Sequence, residues 1–184
     1  MGEQNILIEP LGRANLGDLR SGDGCFTADR KLVVAAHDDA ISYQVVTVPT
    51  FTKRYPPEPV DHSSYIDSND KAIFIAYAGR CPAGQIRLCR YWNRYGYIED
   101  VAVAAEFRRK GIGERLVRRA VEWAKARQLP GVMLETQNIN VAACRLYQRC
   151  GFTLGGFDRF LYRGLDPGTE EIALYWYLTF EHQS

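Results

Sequence analysis

YIEDVAVAAEFRRKGIG, from Tyr97 to Gly113, decides the fold reading of this chain. Tyr97 to Val103 is rich in β-branched and aromatic residues, which predicts a buried strand. Ala104 to Phe107 is too short for an element of its own, and Arg108-Arg109-Lys110-Gly111-Ile112-Gly113 leads into a helical pattern. From Ile112 the apolar positions Leu116, Val117, Ala120, Val121 and Ala124 recur at three-four spacing, one stripe of a helix ending near Gln128. The other face carries Glu114, Arg115, Arg118, Arg119, Glu122 and Lys125, with Glu114 and Arg118 one turn apart. A helix start has unpartnered N–H groups and a partial positive charge, glycines there admit a phosphate to the backbone, and flanking basic residues add charge. The hexapeptide by itself is equally an ordinary strand–turn–helix with two permissive glycines.

A second motif, LETQNINVAACRLYQRCGF from Leu134 to Phe152, follows the first. It contains an acidic strand residue, Glu135, then Asn140, Tyr147 and a closing Gly151-Phe152. Together the two motifs resemble the GNAT superfamily of N-acetyltransferases. That resemblance implies a single α/β (α+β) domain over residues 1–184. Its sheet would be mixed, mainly antiparallel and twisted, flanked by helices and splayed at the acetyl-CoA-binding strand, with the acetyl-CoA core at about 97–152. It implies that Arg108, Arg109, Lys110, Gly111, Ile112, Gly113 and Glu114 wrap the pyrophosphate of coenzyme A. A backbone N–H within Val101, Ala102 and Val103 would meet the thioester oxygen, Asn140 the pantetheine arm, and Tyr147 the departing thiolate. Tyr147 has the alternative of a core aromatic, and Asn140 that of a helix N-cap; the two roles of Asn140 are compatible.

Acetyl transfer itself dictates the remaining roles. A lysine-like amine, with a pKa of about 10.4, is protonated at neutral pH, so a carboxylate or a water chain ending on one must take a proton. Glu135 and Glu99 are the two candidates, and each has the alternative of pairing with a nearby arginine. GFTLGGFDRFLYRGL at 151–165, the EIALYWYL ending, FTKRYP at 51–56 and GQIRLCRYWNRYGYIEDVAV resemble streptothricin acetyltransferases over most of the chain. That family acetylates the β-lysine amine of an antibiotic and so confers resistance. A polycationic acceptor calls for carboxylates, and Glu99, Asp100 and Asp158 are candidates, with Asp61, Asp67 and Asp70 in a loop. Runner-up readings are acetylation of a protein N-terminus or another polyamine, and a non-catalytic acyl-CoA-binding regulator.

The rest of the chain sets bounds. Its 184 residues suit one domain, and 46% hydrophobic with 24% charged residues is ordinary globular composition. A net charge of +1 demands neither nucleic acid nor an anionic membrane. No run approaches the roughly 18 apolar residues of a membrane span. MGEQNILIEP does not read as a secretory signal, which predicts a cytoplasmic location. Five cysteines without paired zinc spacing predict reduced thiols and no metal, and His37, His62 and His182 are scattered. A homodimer stays open.

Strands are predicted at Asn5–Glu9, with Pro10 ending the run, and as a hairpin of Lys31–Ala36 and Ile41–Val48 about His37-Asp38-Asp39. A short helix within loops is expected in 12–24. Tyr55 to Asp70, with three prolines, three aspartates and three serines, reads as a loop that is either functional or a surface insertion. Ala72–Ala78, a turn at Gly79–Gly84, Gln85–Trp92 and the Tyr97 strand form a meander. Gly131–Thr136 follows, then a helix capped by Asn140 with Ala143, Leu146, Tyr147 and Cys150 inward. Thr153–Gly156 and Ile172–Phe180 close the sheet.

Overall fold

The computed structural model describes residues 5–19, 24–38, 40–55 and 59–180. In chain order the elements are β1 (Ile6–Pro10), β2 (Cys25–His37), β3 (Ala40–Arg54), β4 (Lys71–Ala78), β5 (Cys81–Arg90), β6 (Gly96–Val103), α1 (Ile112–Ala126), β7 (Gly131–Gln137), α2 (Val141–Arg149), β8 (Thr153–Asp158) and β9 (Ala173–Thr179). Contacts divide the chain into two compact units. One is built from the described parts of Met1–Asp23, Pro57–Val132 and Thr179–Ser184, the other from those of Gly24–Pro56 and Met133–Leu178.

In the first unit β1, β4, β5 and β6 are neighbours in that order, each pair antiparallel. The meander β4–β5–β6 stands as expected, because two-residue and five-residue connections leave no room for a crossover. The turn after β4 is tighter than predicted. Only Gly79 and Arg80 lie outside the strands, and Pro82 sits within β5 beside a register shift at Ala76/Tyr77. A bulge is where a strand tolerates a residue with no N–H to donate. α1 packs on β4, β5 and β6 through Ile112, Leu116, Val117, Ala120, Trp123 and Ala124. Trp123 thus belongs to the stripe, whereas Val121 is half-buried. The 55–70 stretch carries a 3-10 turn, His62–Tyr65, capped by Asp61, whose carboxylate accepts from Ser63 N at 3.0 Å. Tyr65 packs with Leu11, Ile73, Ile75 and Tyr77, so this part of the stretch is core-anchored rather than a loose insertion; residues 56–58 lie outside the described ones. Short 3-10 turns also form at Arg13–Asp18 and Ala105–Phe107, the latter in a stretch expected to hold no element.

In the second unit β2 and β3 form an antiparallel ribbon well beyond the predicted hairpin, from Cys25↔Arg54 to His37↔Ala40. Charged residues and Pro49 mask its outer half in the sequence. The register shift at Ala28/Arg30 lets the chain absorb that proline and continue. Asp39 of the predicted turn lies outside the described residues. β7, β9 and β8 are neighbours in that order, with β8 and β9 antiparallel. The inward stripe of α2 is Val141, Cys144 and Tyr147; of the predicted set Tyr147 is buried, while Ala143, Leu146 and Cys150 are half-buried. α2 is short, and its single apolar seam begins at its first residue, two positions before the first inward residue that the pattern suggested. Gly151 holds φ +88°, the left-handed conformation that follows a helix end, and Phe152 N donates to Tyr147 O at 3.0 Å. Trp176 and Leu174 of β9 and Leu32 of β2 are almost fully buried.

Candidate active site

On the first unit the candidate cofactor segment is continuous. β6 pairs with β5 in one register from Val103 to Asp100, and the shift at Arg87/Leu88 leaves Glu99 as the extra residue of a bulge. Val101, Ala102 and Val103 are half-buried beyond it. The chain then turns through Arg108, whose Nε donates back to Val103 O at 3.1 Å, and enters α1 at Gly111. Arg109 and Gly111 both have positive φ, +64° and +77°, and Gly111 is the helix N-cap with no side chain capping it. A Cβ on Gly111 would meet no protein atom within 4 Å, so the space beside this backbone is open. Arg108, Arg109 and Lys110 are exposed around it. Glu114 is turned aside into its pair with Arg118 at 2.5 Å. An open, uncapped helix start ringed by three cations fits a diphosphate.

Glu99 and Asp100 differ in surroundings. Glu99 accepts from the Tyr65 hydroxyl at 2.7 Å and faces Arg87 Nε at 3.6 Å. Burial pushes the Asp100 carboxyl above its ordinary range, and the charge of Arg87 pulls it partly back. Of the loop aspartates, Asp70 faces Arg90 at 3.7 Å, and Asp67 has φ +56° in a turn.

The second unit carries Glu135, Asn140, Tyr147 and Asp158. Glu135, half-buried on β7, accepts a hydrogen bond from the Tyr162 hydroxyl. Burial raises its pKa, the Tyr162 bond opposes the rise, and the charge of Glu171 adds to it. Glu171 is buried, and it accepts from the Tyr55 hydroxyl while pairing with Lys53. Asn140 caps α2, its Oδ1 accepting from Ala143 N at 3.2 Å. Tyr147 is 7% exposed, its ring centroid 6.0 Å from that of Phe152. Asp158 Oδ1 accepts from Phe160 N at 2.7 Å and Leu161 N at 3.2 Å, which shapes the turn before the 3-10 stretch Leu161–Gly164. A cavity of about 440 Å³ opens between the irregular Val48–Phe51 part of β3 and Thr169–Glu171. Both of its acidic residues face a lysine, Glu171 with Lys53 and Glu170 with Lys31 at 3.7 Å.

Lys53, Tyr55, Tyr162 and Glu171 are absent from the sequence-predicted site. Each lies inside a segment that carried the resemblance, FTKRYP, FLYRGL or EIALYWYL, but nothing local marks it as a partner of Glu135 or of another of the four. Among the described residues no group of three or more His, Cys, Asp or Glu is placed to hold a metal ion, and no helix is long and apolar enough to cross a membrane.

Comparison with known proteins gives a consistent result. The model of the acetyltransferase (GNAT) family matches residues 42–152. Streptothricin acetyltransferase A of Bacillus subtilis is 35% identical over 95% of this chain and 100% of its own length. Streptothricin acetyltransferase of Escherichia coli is 42% identical over 68% of this chain and 73% of its own. A Bacillus anthracis protein assigned as a streptothricin acetyltransferase, solved in complex with acetyl coenzyme A, superposes with a TM-score of 0.88 at 38% identity, covering 98% of this chain and 100% of that one.

Proposed function

Because the chain belongs to the GNAT acetyltransferase family, we propose that it moves the acetyl group of acetyl-CoA to an amine of the β-lysine part of streptothricin, giving resistance to that antibiotic. The observation that carries the acceptor is the extent of similarity. It spans 95% of this chain and the whole of the B. subtilis enzyme, well beyond the cofactor segment.

Acetyl-CoA supplies the acetyl group as a thioester. The open N-terminus of α1 and Arg108, Arg109 and Lys110 bind its diphosphate, with Asn140 on the pantetheine arm. A backbone N–H of Val101, Ala102 or Val103, beyond the Glu99 bulge, donates to the oxygen that gains charge. Tyr147 gives the leaving sulfur a proton. Between the two candidate bases we assign Glu135. Glu99 is already committed to the Arg87 guanidinium and the Tyr65 hydroxyl. Glu135 has a tyrosine for a partner, and burial lifts its pKa toward the working pH. Glu99 and Asp100 then serve as acidic contacts for the cationic acceptor, and Asp158 supports it through the turn it shapes. Burial pushes the Cys89 thiol up to about 11 and the Cys144 thiol up to about 12, which makes both poor nucleophiles; in this scheme the amine attacks the thioester directly, with both substrates bound. A monomer and a homodimer are both compatible with this scheme, and a cytoplasmic enzyme would meet acetyl-CoA where it is made.

The test is direct. Purified protein with acetyl-CoA and streptothricin should release free thiol and add one acetyl group, localised by fragmentation mass spectrometry to β-lysine. Cells expressing the protein should survive the antibiotic. If acetyl-CoA binds but streptothricin gains no acetyl group, the acceptor assignment fails.

A further inference from the structure

We infer that Tyr162 is a positioning residue for acetyl transfer, its hydroxyl holding the Glu135 carboxylate in place to take the proton from the acceptor ammonium. This rests on the reading of Glu135 as the base. In that step the N–H bond of the ammonium breaks, its electron pair stays on nitrogen, and the proton forms an O–H bond on Glu135.

Three observations carry it. Tyr162 is the inward residue of an otherwise outward loop: Phe160 is 69% exposed, Leu161 44% and Leu165 84%, against 9% for Tyr162. A phenylalanine would keep the ring and its packing, so the hydroxyl is the distinctive part, and it is spent on Glu135 Oε1. The loop is pinned at its start by the Asp158 cap, which fixes where the ring enters. Finally, the groups facing Glu135 are sorted by charge. Tyr162 bonds it, while Tyr55 and Glu171 act on it or on its partner electrostatically. Glu171 is already committed to Lys53 and Tyr55. Among the described residues no lysine, arginine or histidine forms an ion pair with Glu135, so a neutral donor sets its orientation. Burial, then the charge of Glu135, pushes the Tyr162 hydroxyl far above its ordinary pKa, so it keeps its proton and can donate to the carboxylate.

The experiment measures kcat/KM against pH for the full chain, its Tyr162→Phe, Glu135→Gln and doubly substituted variants, with streptothricin and acetyl-CoA. A bond donated to the charged form lowers a carboxyl pKa, so losing it should raise the acidic limb by about one pH unit. Turnover near neutrality should fall roughly 10- to 100-fold, recovering in part as pH rises. The double variant should be no worse than Glu135→Gln. A near-inactive Glu135→Gln beside a Tyr162→Phe of wild-type rate and unmoved limb overturns the positioning role alone. An active Glu135→Gln overturns the base assignment, and the inference with it. Should Tyr162→Phe not fold, 3-fluorotyrosine at 162, a stronger donor of nearly the same shape, should lower the limb, and a limb that stays put overturns the proposal.

Discussion

Asn138→Ala should be among the most damaging single changes in the second unit. Asn138 is 2% exposed and makes four hydrogen bonds. Two are backbone bonds: its N–H donates to Ile172 O at 2.9 Å, and its carbonyl accepts from Leu32 N at 2.8 Å. The side chain repeats the same partnership, Nδ2 donating to Leu32 O at 3.1 Å and Oδ1 accepting from Ile172 N at 3.0 Å. One amide thereby ties β2 to the segment that carries Glu171. Alanine keeps the backbone pair and orphans Leu32 C=O and Ile172 N–H. An unsatisfied buried group costs about 1–3 kcal/mol. Leu32 is 1% exposed and belongs at the upper end of that range, while half-buried Ile172 is reachable by water and belongs at the lower. The sum is roughly 3–4 kcal/mol. For a chain of this size that corresponds to a fall in Tm of about 6–16 °C. Urea and thermal unfolding of the purified protein give the global number. Hydrogen exchange gives the local one: the Ile172 amide should lose protection, and the Leu32 amide, whose acceptor is backbone, should lose less. Asn138→Asp keeps the acceptor for Ile172 but sets a carboxylate against the Leu32 carbonyl, and should be no better than alanine. A loss under about 1 kcal/mol with Ile172 protection unchanged would show that solvent replaces the amide, and would refute the reasoning.

Two further changes address the cofactor side. Tyr147→Phe keeps the ring and its packing on Phe152, so turnover should fall about 100- to 10,000-fold with acetyl-CoA affinity within a few fold of wild type; steady-state kinetics beside calorimetry checks this, and near-normal turnover would leave Tyr147 a packing residue. Gly111→Ala meets no protein atom but must hold φ +77°, so about 1–2 kcal/mol of stability should be lost. Acetyl-CoA affinity should drop at least tenfold, and unchanged affinity by calorimetry in the folded variant would remove this turn from the diphosphate site.

What the sequence disclosed follows from the range of each interaction. α1 was legible because its buried stripe repeats within four residues, and Gly111 and Gly151 because a left-handed backbone favours one residue type. The β2–β3 ribbon was under-read, since an exposed ribbon needs few apolar residues and Pro49 looks like a terminator when it stands at an irregularity. Neither Asn138 nor the bulge at Glu99 has a local signature. A register shift is a property of two strands, and Asn138 reads as one more polar residue before a helix until Leu32 and Ile172 are placed against it. Glu135 was found through its motif. Its partner is 27 positions away, and the partners of Glu171 lie more than a hundred positions upstream.

Those partners are what separate carboxylates that look alike in the sequence. Glu99, Glu135 and Glu171 each accept from a tyrosine, from Tyr65, Tyr162 and Tyr55 respectively. Glu99 and Glu171 add a cation, Arg87 in one case and Lys53 in the other. In both cases the carboxylate is committed to balancing its partner's charge, a role suited to anchoring a structure or attracting a cationic ligand. A carboxylate that must take up a proton and release it in every turnover needs the opposite, a partner that orients it without contributing charge. A tyrosine hydroxyl in a buried setting does that, since it donates a hydrogen bond to the anion and turns to accept one from the acid. The tyrosine-only pairing of Glu135 therefore distinguishes it chemically from its two neighbours in type. Lys53 pairs with Glu171, and so balances a charge whose field raises the pKa of Glu135.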